Sequence, residues 1–278
     1  MTQKSSGGGQ PFHKMHGLGN DCGVIDARGG AIGVTARLAR ALSDRRLGVG
    51  FDQLALIEGD DEADLRLTFF NADGSVSSAC GNATRCIARV EMELTGRTEL
   101  NVKTARGVLA ARELGDGVTS VNMGAPMMGW AAIPLKGATD TLHLPIDGDP
   151  VATGMGNPHC TFFVEDANAV DLGTLGPKFE HHPLFPQRTN VQFAHMVGPN
   201  HLRVRVGERG SGVTLASGSS SCAVAVSAAR RGLTGREVKI SLDGGDLMID
   251  WRDDGVWMTG PSAHVFRGTL TQSFLDSL

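Results

Sequence analysis

At 278 residues the chain is long enough for two medium domains or one large one. Its hydrophobic share, 41%, is ordinary for a globular protein in water, and no apolar run approaches the length that spans a bilayer. The formal charge of -4 is scattered in both signs, without the basic stripe of a nucleic-acid binder or the Lys/Arg-rich helix of a membrane-surface protein.

Residues 1–10 lack an apolar core and read as a flexible tail rather than a signal peptide. Residues 12–21 read as a short strand running into a Gly-rich turn, and 24–26 as the next strand. Helical periodicity over 34–43 is broken at 45–50, and 53–58 returns to strand. Another strand at 65–69 leads into turn chemistry at 71–75. A helix from Asn82 to about Leu94 sets Ala83, Cys86, Ile87, Val90 and Leu94 on one face. Short strands follow near 100–103, 108–112 and 118–123. Gly124-Ala125-Pro126 marks the best domain boundary, and the stretch to Gly154 has turn signals without periodicity. Strands near 238–242, 247–251 and 256–259 close the second half, and residues 262–266 end the fold.

Aromatics are sparse, with 11 Phe, 3 Trp and no Tyr, so small residues must fill much of the core. The 5 cysteines, at 22, 80, 86, 160 and 222, form no C-x-x-C pair. An odd number in a chain this long argues against a disulfide framework and for reduced thiols in the cytoplasm. Four of them read as inert core residues; Cys80, beside Gly81 at a helix start, does not. His181, His182 and His195 read as surface residues rather than metal ligands.

The second half repeats the first at a constant offset of 137. Gly156-Asn157 falls on Gly19-Asn20, Asn190 on Gln53, Leu202-Arg203 on Leu65-Arg66, and Glu208 on Asn71. Ser217-Gly218 falls on Cys80-Gly81, and Ala225 on Ala88. A single offset that joins strand, turn, polar residue and helix start means one unit used twice. Its period is far longer than a solenoid repeat, so the expectation is two homologous domains.

A helix start presents free N–H groups and about half a positive charge. Gly81 and Gly218 leave room for an anion to reach those donors, so two such starts could grip one carboxylate. The same field favours a thiolate at Cys80, which can then act as a base. Two acid/base groups on opposite faces of a carbon centre invert it: one removes a proton, the other delivers one. Donors on the carboxylate stabilise the charge that develops. Neither a metal motif nor a dinucleotide fingerprint nor a P-loop is present.

Six blocks carry a resemblance: residues 14–21 (KMHGLGND), 50–53 (GFDQ), 70–75 (FNADGS), 80–82 (CGN), 156–159 (GNPH) and 208–210 (ERG). In this order, across residues 12 to about 265, they resemble the diaminopimelate epimerase family, within the wider proline racemase-like fold. The resemblance implies an α+β fold of two homologous domains related by a pseudo-twofold axis, each a β-barrel around a central α-helix. It implies a homodimer, no cofactor, and a small-molecule substrate, diaminopimelate, converted between LL and meso forms for lysine and cell-wall synthesis. Cys80 and the position of Ser217 would be the acid/base pair. Gly81, Asn82, Gly218 and Ser219 would hold the reacting carboxylate. Asn20, Gln53, Asn71, Asn157, Asn190, Glu208 and Arg209 would bind the rest of the substrate, and His159 and Glu208 would tune the thiols. Domains are expected at 11–125 and 126–264, with a terminal strand near 265–278 able to return to the first.

Ser217 departs from the family, which carries its second catalytic cysteine there; Val213, where many members are acidic, departs more mildly. A hydroxyl is a far weaker acid than a thiol, so full epimerisation should be impaired while the carboxylate grip survives. Two explanations stand at this stage, an engineered substitution or a natural divergence. The second leaves room for a one-base lyase or dehydratase on a proline-like substrate, or for a diamino dicarboxylate-binding protein without turnover.

Overall fold

A computed structural model of the chain describes residues 9–30, 32–77 and 80–278. Two compact units emerge: one of residues up to 17, 21–110 and 262–278, the other of 18–20 and 111–261. Most of the expected tail lies outside the described residues. Its last two positions, Gly9 and Gln10, are strand, paired with Thr271 and Leu270.

In the first unit, β1 (Gly9–Gly17) pairs with β2 (Asn20–Asp26). Strand β2 runs parallel to β3 (Gln53–Glu58), and β3 antiparallel to β4 (Leu65–Asn71). Strand β4 also pairs with the short β5 (Val76–Ser77), antiparallel at Phe69 and Phe70, and with β6 (Glu99–Thr104), parallel at Leu65 and Arg66. Helix α1 (Ala36–Ser43) starts where Thr35 accepts a bond from the Leu38 amide, and it buries Leu38, Ala39 and Leu42. Those side chains join Phe12, Ile25, Phe51, Leu54 and Phe70 in one core cluster. Helix α2 (Gly81–Thr95) stops at Gly96, whose φ of 70° suits a residue without a side chain. Strand β7 (Gly107–Glu113) runs out of this unit.

The second unit repeats the plan. Strands β8 (Val118–Asn122), β9 (Val151–Gly154) and β10 (Pro158–Phe163) come first, then α3 (Leu172–Glu180). Strands β11 (Asn190–Gly198), β12 (His201–Glu208) and β13 (Gly212–Thr214) lead to α4 (Gly218–Arg230). Strands β14 (Glu237–Leu242), β15 (Gly245–Arg252) and β16 (Gly255–Pro261) complete it. Strand β10 is parallel to β11, β11 antiparallel to β12, β12 antiparallel to β13 and parallel to β14. Helix α4 touches β9, β10, β11, β14, β15 and β16, so the curved sheet wraps it. Residues 220–228 are accordingly all buried. The helix is built of Gly, Ser, Ala, Cys and Val up to Ala229, small side chains that suit an element enclosed by strands. Phe162, Phe179 and Phe193 stack beside it in a second cluster.

The repeat holds down to register. Cys22 stands opposite Gln53 in the first unit and His159 opposite Asn190 in the second, each pair displaced by 137. The pairs Phe69↔Ser77 and Val206↔Thr214 obey the same displacement. Together with the few helices, this is the mixed α/β architecture expected of the fold.

Two local expectations fail. The last strand, β17 (Ala263–Thr271), does not stop at Phe266; it runs antiparallel to β1 and is followed by α5 (Gln272–Asp276). Leu94 is 63% exposed. Residues 93–99 all lie in solvent, so the end of α2 extends beyond its cover, and Glu91 and Met92 mark the last buried positions. Helix α3 lies in a stretch for which no element is expected from sequence, and Gly173, Gly176 and Pro177 interrupt its pattern; Asp171 starts it by accepting a bond from the Thr174 amide.

Candidate functional site

In the first unit, Cys80 is the residue before α2, with extended backbone (φ -143°, ψ 96°). Its Sγ accepts a hydrogen bond from the Ala83 amide at 3.3 Å, so the sulfur sits against the positive end of the helix. That placement favours the thiolate, by the same field that binds anions. Gly81 and Asn82, the next two residues, are buried. Asn82 Oδ1 accepts from Arg85, a guanidinium with 0% exposure. Gly17 allows this packing: a Cβ there would come within 2.4 Å of the Arg85 side chain. Gln53 opens β3 directly opposite Asn71 at the end of β4. The Gln53 amide donates to Asn71 Oδ1 at 2.9 Å, and the Asn71 amide donates to Ser75 at 3.0 Å.

A charged cluster fixes the turns beside Asn20 and Gln53. Lys14 Nζ donates to Asp21 at 2.6 Å, and Arg45 bridges Asp21 at 2.9 Å and Asp52 at 2.8 Å. The Asp52 amide donates to Asp21 Oδ1 at 2.9 Å. Burial alone would raise the Asp21 carboxyl, but the bonds from Arg45 and Lys14 outweigh it and bring it to about 2. Asp52 moves the other way, raised by burial and by Asp21.

In the second unit, Ser217 takes the position of Cys80 before α4, with extended backbone (φ -146°, ψ 117°) and 3% exposure. Unlike Cys80, its side chain makes no capping bond. Gly218 is buried and Ser219 half-buried. His159 and Asn190 stand abreast on β10 and β11, and Glu208 closes β12 beside Gly207, which faces Val191. Asn190 donates to the Pro158 carbonyl at 2.9 Å and accepts from the Arg209 amide at 3.0 Å. The Arg209 guanidinium donates to the Gln187 carbonyl at 3.1 Å; burial, then nearby Arg188, push its pKa down, and Glu180 opposes them. Thr214 donates to Glu208 at 2.7 Å. His159 has 0% exposure and lies 2.8 Å from Asn157 Oδ1 through Nε2. Asn20 lies at the start of β2, half-buried.

In each unit the strand register sets some of the candidate residues abreast. The first row reads Cys22, Gln53, Asn71 and the second His159, Asn190, Glu208. Reasoning from sequence missed three supporting side chains. Glu180, 8% exposed, accepts from the Gly210 amide at 3.0 Å and so anchors the turn after Arg209. Gln192, on β11, and Arg85, on α2, are both fully buried polar groups. A polar residue between Val191 and Phe193 was the available signal for Gln192. The other cysteines, 22, 86, 160 and 222, are buried. A hydrogen bond to Cys86, then burial, push Cys22 well above the ordinary thiol range. His195 is not a surface residue: it is half-buried and accepts the Ala167 amide at 2.9 Å. No helix among the described residues is long and apolar enough to cross a membrane.

A family model described as diaminopimelate epimerase matches residues 12–129 and 151–265. The diaminopimelate epimerase of Rhodospirillum centenum is 52% identical over 271 residues, 95% of this chain and 93% of the relative. That of Acidiphilium cryptum is 48% identical over 272 residues, 96% of this chain and 98% of the relative. Among solved structures, a hydroxyproline epimerase from Agrobacterium vitis with bound trans-4-hydroxy-L-proline has a TM-score of 0.70 at 14% identity, covering 98% of this chain and 94% of its own. A predicted epimerase from Pseudomonas aeruginosa has a TM-score of 0.68 at 17% identity, covering 94% and 99%. At those identities the likeness is one of fold.

Proposed function

The chain belongs to the diaminopimelate epimerase family, and on that premise we propose how its residues divide the work of epimerising diaminopimelate. The carrying observation is the correspondence with relatives of that name along both halves of the chain. The activity is that of an isomerase acting at the α-carbon. Cys80 is the thiol base of one half, held as thiolate by the start of α2. The amides of Gly81 and Asn82, with those of Gly218 and Ser219, take the reacting carboxylate and the charge that develops on it. Asn20, Gln53, Asn71, Asn157, Asn190, Glu208 and Arg209 receive the rest of the substrate. Arg209 suits the distal carboxylate, which it can grip with two donors, and Glu208 suits the distal ammonium. His159 and Glu208 tune the acid/base groups.

Ser217 is the weak partner in this scheme. Its hydroxyl must lose a proton to complete inversion in one direction, and it is a much poorer acid than the thiol it stands in for. Restoring sulfur tests the whole assignment. Ser217→Cys should raise epimerisation of LL-diaminopimelate by on the order of a hundredfold or more, since positioned acid/base groups contribute that much. Deuterium entry from solvent at the α-carbon is the readout. An intact Ser217→Cys protein without a gain would remove the two-thiol parent and favour binding without turnover. The same reading takes the active form to be a cytoplasmic homodimer; active preparations that sediment only as monomer would remove the dimer.

A further inference from the structure

One buried polar side chain of the second unit has no role in the scheme above. Gln192, in β11, has 0% exposure. Its Nε2 lies 3.0 Å from His159 Nδ1 on β10 and 3.1 Å from Ser220 Oγ in the first turn of α4. Its Oε1 accepts from Thr161 Oγ1 at 3.2 Å. His159, Thr161 and Ser220 are likewise at 0% exposure. The remaining ring nitrogen, His159 Nε2, lies 2.8 Å from Asn157 Oδ1.

With the Gln192 nitrogen turned toward His159 and its oxygen toward Thr161, the donor inventory assigns the protons. An amide NH₂ only donates, so His159 Nδ1 must accept and carries no proton. The single proton of the neutral ring is then on Nε2, donated to Asn157. In this orientation each atom of the Gln192 amide meets a group of the opposite kind, the condition for a polar network to stay buried without cost.

We infer that Gln192 is a positioning residue. It holds His159 neutral in the Nε2-protonated form, and it ties β11 to the head of α4, where Gly218 and Ser219 present their amides. The inference rests on the proposed function only for its kinetic consequence. Capture of the substrate's distal end is wired separately: Asn190 is held by the Pro158 carbonyl and the Arg209 amide, and Arg209 by the Gln187 carbonyl. Loss of Gln192 should therefore disturb proton transfer more than binding.

Nitrogen-15 spectra of the histidine-labelled protein, with His159 assigned through a His159→Asn variant, read the tautomer directly. The unsubstituted chain should show His159 protonated at Nε2. Gln192→Glu, which offers only acceptors, should move a proton onto Nδ1. An Nδ1-protonated ring in the unsubstituted chain overturns the inference, and that spectrum needs no variant at position 192. So does a Gln192→Glu spectrum unchanged from the parent. In a Ser217→Cys background, Gln192→Leu should lower kcat for deuterium exchange on the order of tenfold to a hundredfold, the scale of a small misplacement of reacting groups. KM should stay within about threefold of the parent, because the distal-end contacts of Asn190 and Arg209 are untouched. A raised KM with kcat unchanged overturns the positioning role. Absence of exchange in the Ser217→Cys parent refutes the proposed function instead, and the spectra then decide the inference alone. Ser220→Ala, which removes one bond of the network, serves if the leucine variant does not fold, with a smaller fall in kcat expected and an unchanged kcat counting against the tie to α4.

Discussion

At the scale of single residues, the two helix heads differ by one atom and by what that atom does. The sulfur of Cys80 reaches the Ala83 amide, while the hydroxyl of Ser217 caps nothing. The thiol therefore sits in the field of its helix in a way the hydroxyl does not. Arg209 offers a cleaner dissection of substrate capture. Its backbone amide is held by Asn190, so the turn does not depend on the guanidinium, which donates to the carbonyl of exposed Gln187. Arg209→Ala should then keep the fold and raise KM about tenfold to a hundredfold, the worth of a charge-assisted pair. Arg209→Lys should recover only part of this, since an ammonium lacks the planar fork. Steady-state exchange kinetics in the Ser217→Cys background check both, and an unchanged KM in the alanine variant removes Arg209 from the binding set. The sites legible in the sequence were those of this kind, polar residues in repeated motifs at strand ends. Glu180 was not legible, because it belongs to a helix whose glycines and proline hide its period. Gln192 was hidden by the repeat itself, which sets it over Ala55, a residue with no polar atom to compare.

At the scale of elements, the strands that carry the site are aligned by charge as well as by hydrogen-bond ladders. Lys14, Asp21, Arg45 and Asp52 join the turn after β1 to the turn before β3, one residue away from Asn20 and from Gln53. Asp21, depressed to about 2 in the folded protein, is ionised more readily there than in the unfolded chain. Its contribution is therefore complete above about pH 4 and is lost as pH falls toward 2. Asp52, raised, has the opposite sign and offsets part of the gain as pH rises through the carboxylate range. The net loss on acidification should be on the order of 1–2 kcal/mol. Asp21→Asn should be less stable than the parent at pH 6, and the gap should close by about pH 2.5. Urea unfolding across that range is the measurement; a gap independent of pH would show that the ion pairs do not carry the alignment. Elements themselves were readable where amphipathic period and turn chemistry agreed, as in α1 and strands β3, β4, β6, β7 and β8. The end of α2 was misread because period alone does not reveal how far the cover extends over Leu94.

At the scale of the whole molecule, the chain writes one plan twice and then finishes in its first unit. The duplication was legible because it is a relation within the sequence, and the repeated registers are its physical expression. The return of β17 to β1 was only partly so. Its partner lies some 250 residues away, and five of its nine side chains point into solvent, which leaves no alternating pattern to read. Yet Leu270 is buried in the core cluster with Phe12, Ile25 and Phe70, and Phe274, Leu275 and Leu278 pack on the same cluster. Phe266 also meets Phe12 edge to face at 5.8 Å. Burial of large apolar side chains contributes roughly 2–5 kcal/mol each, and a whole domain is stable by only about 5–15 kcal/mol. A chain ending at Pro261 should therefore lose the cooperative folding of the first unit while the second, whose strands β8 to β16 are complete, keeps its own. Hydrogen exchange separates the two outcomes. Amides of β2 to β4 should exchange at rates near those of an unfolded chain, and those of β11, β12 and α4 should stay protected. Retained protection in β2 to β4 would mean that β1 needs no partner on its outer edge, and that the closing strand serves something other than the stability of the unit it completes.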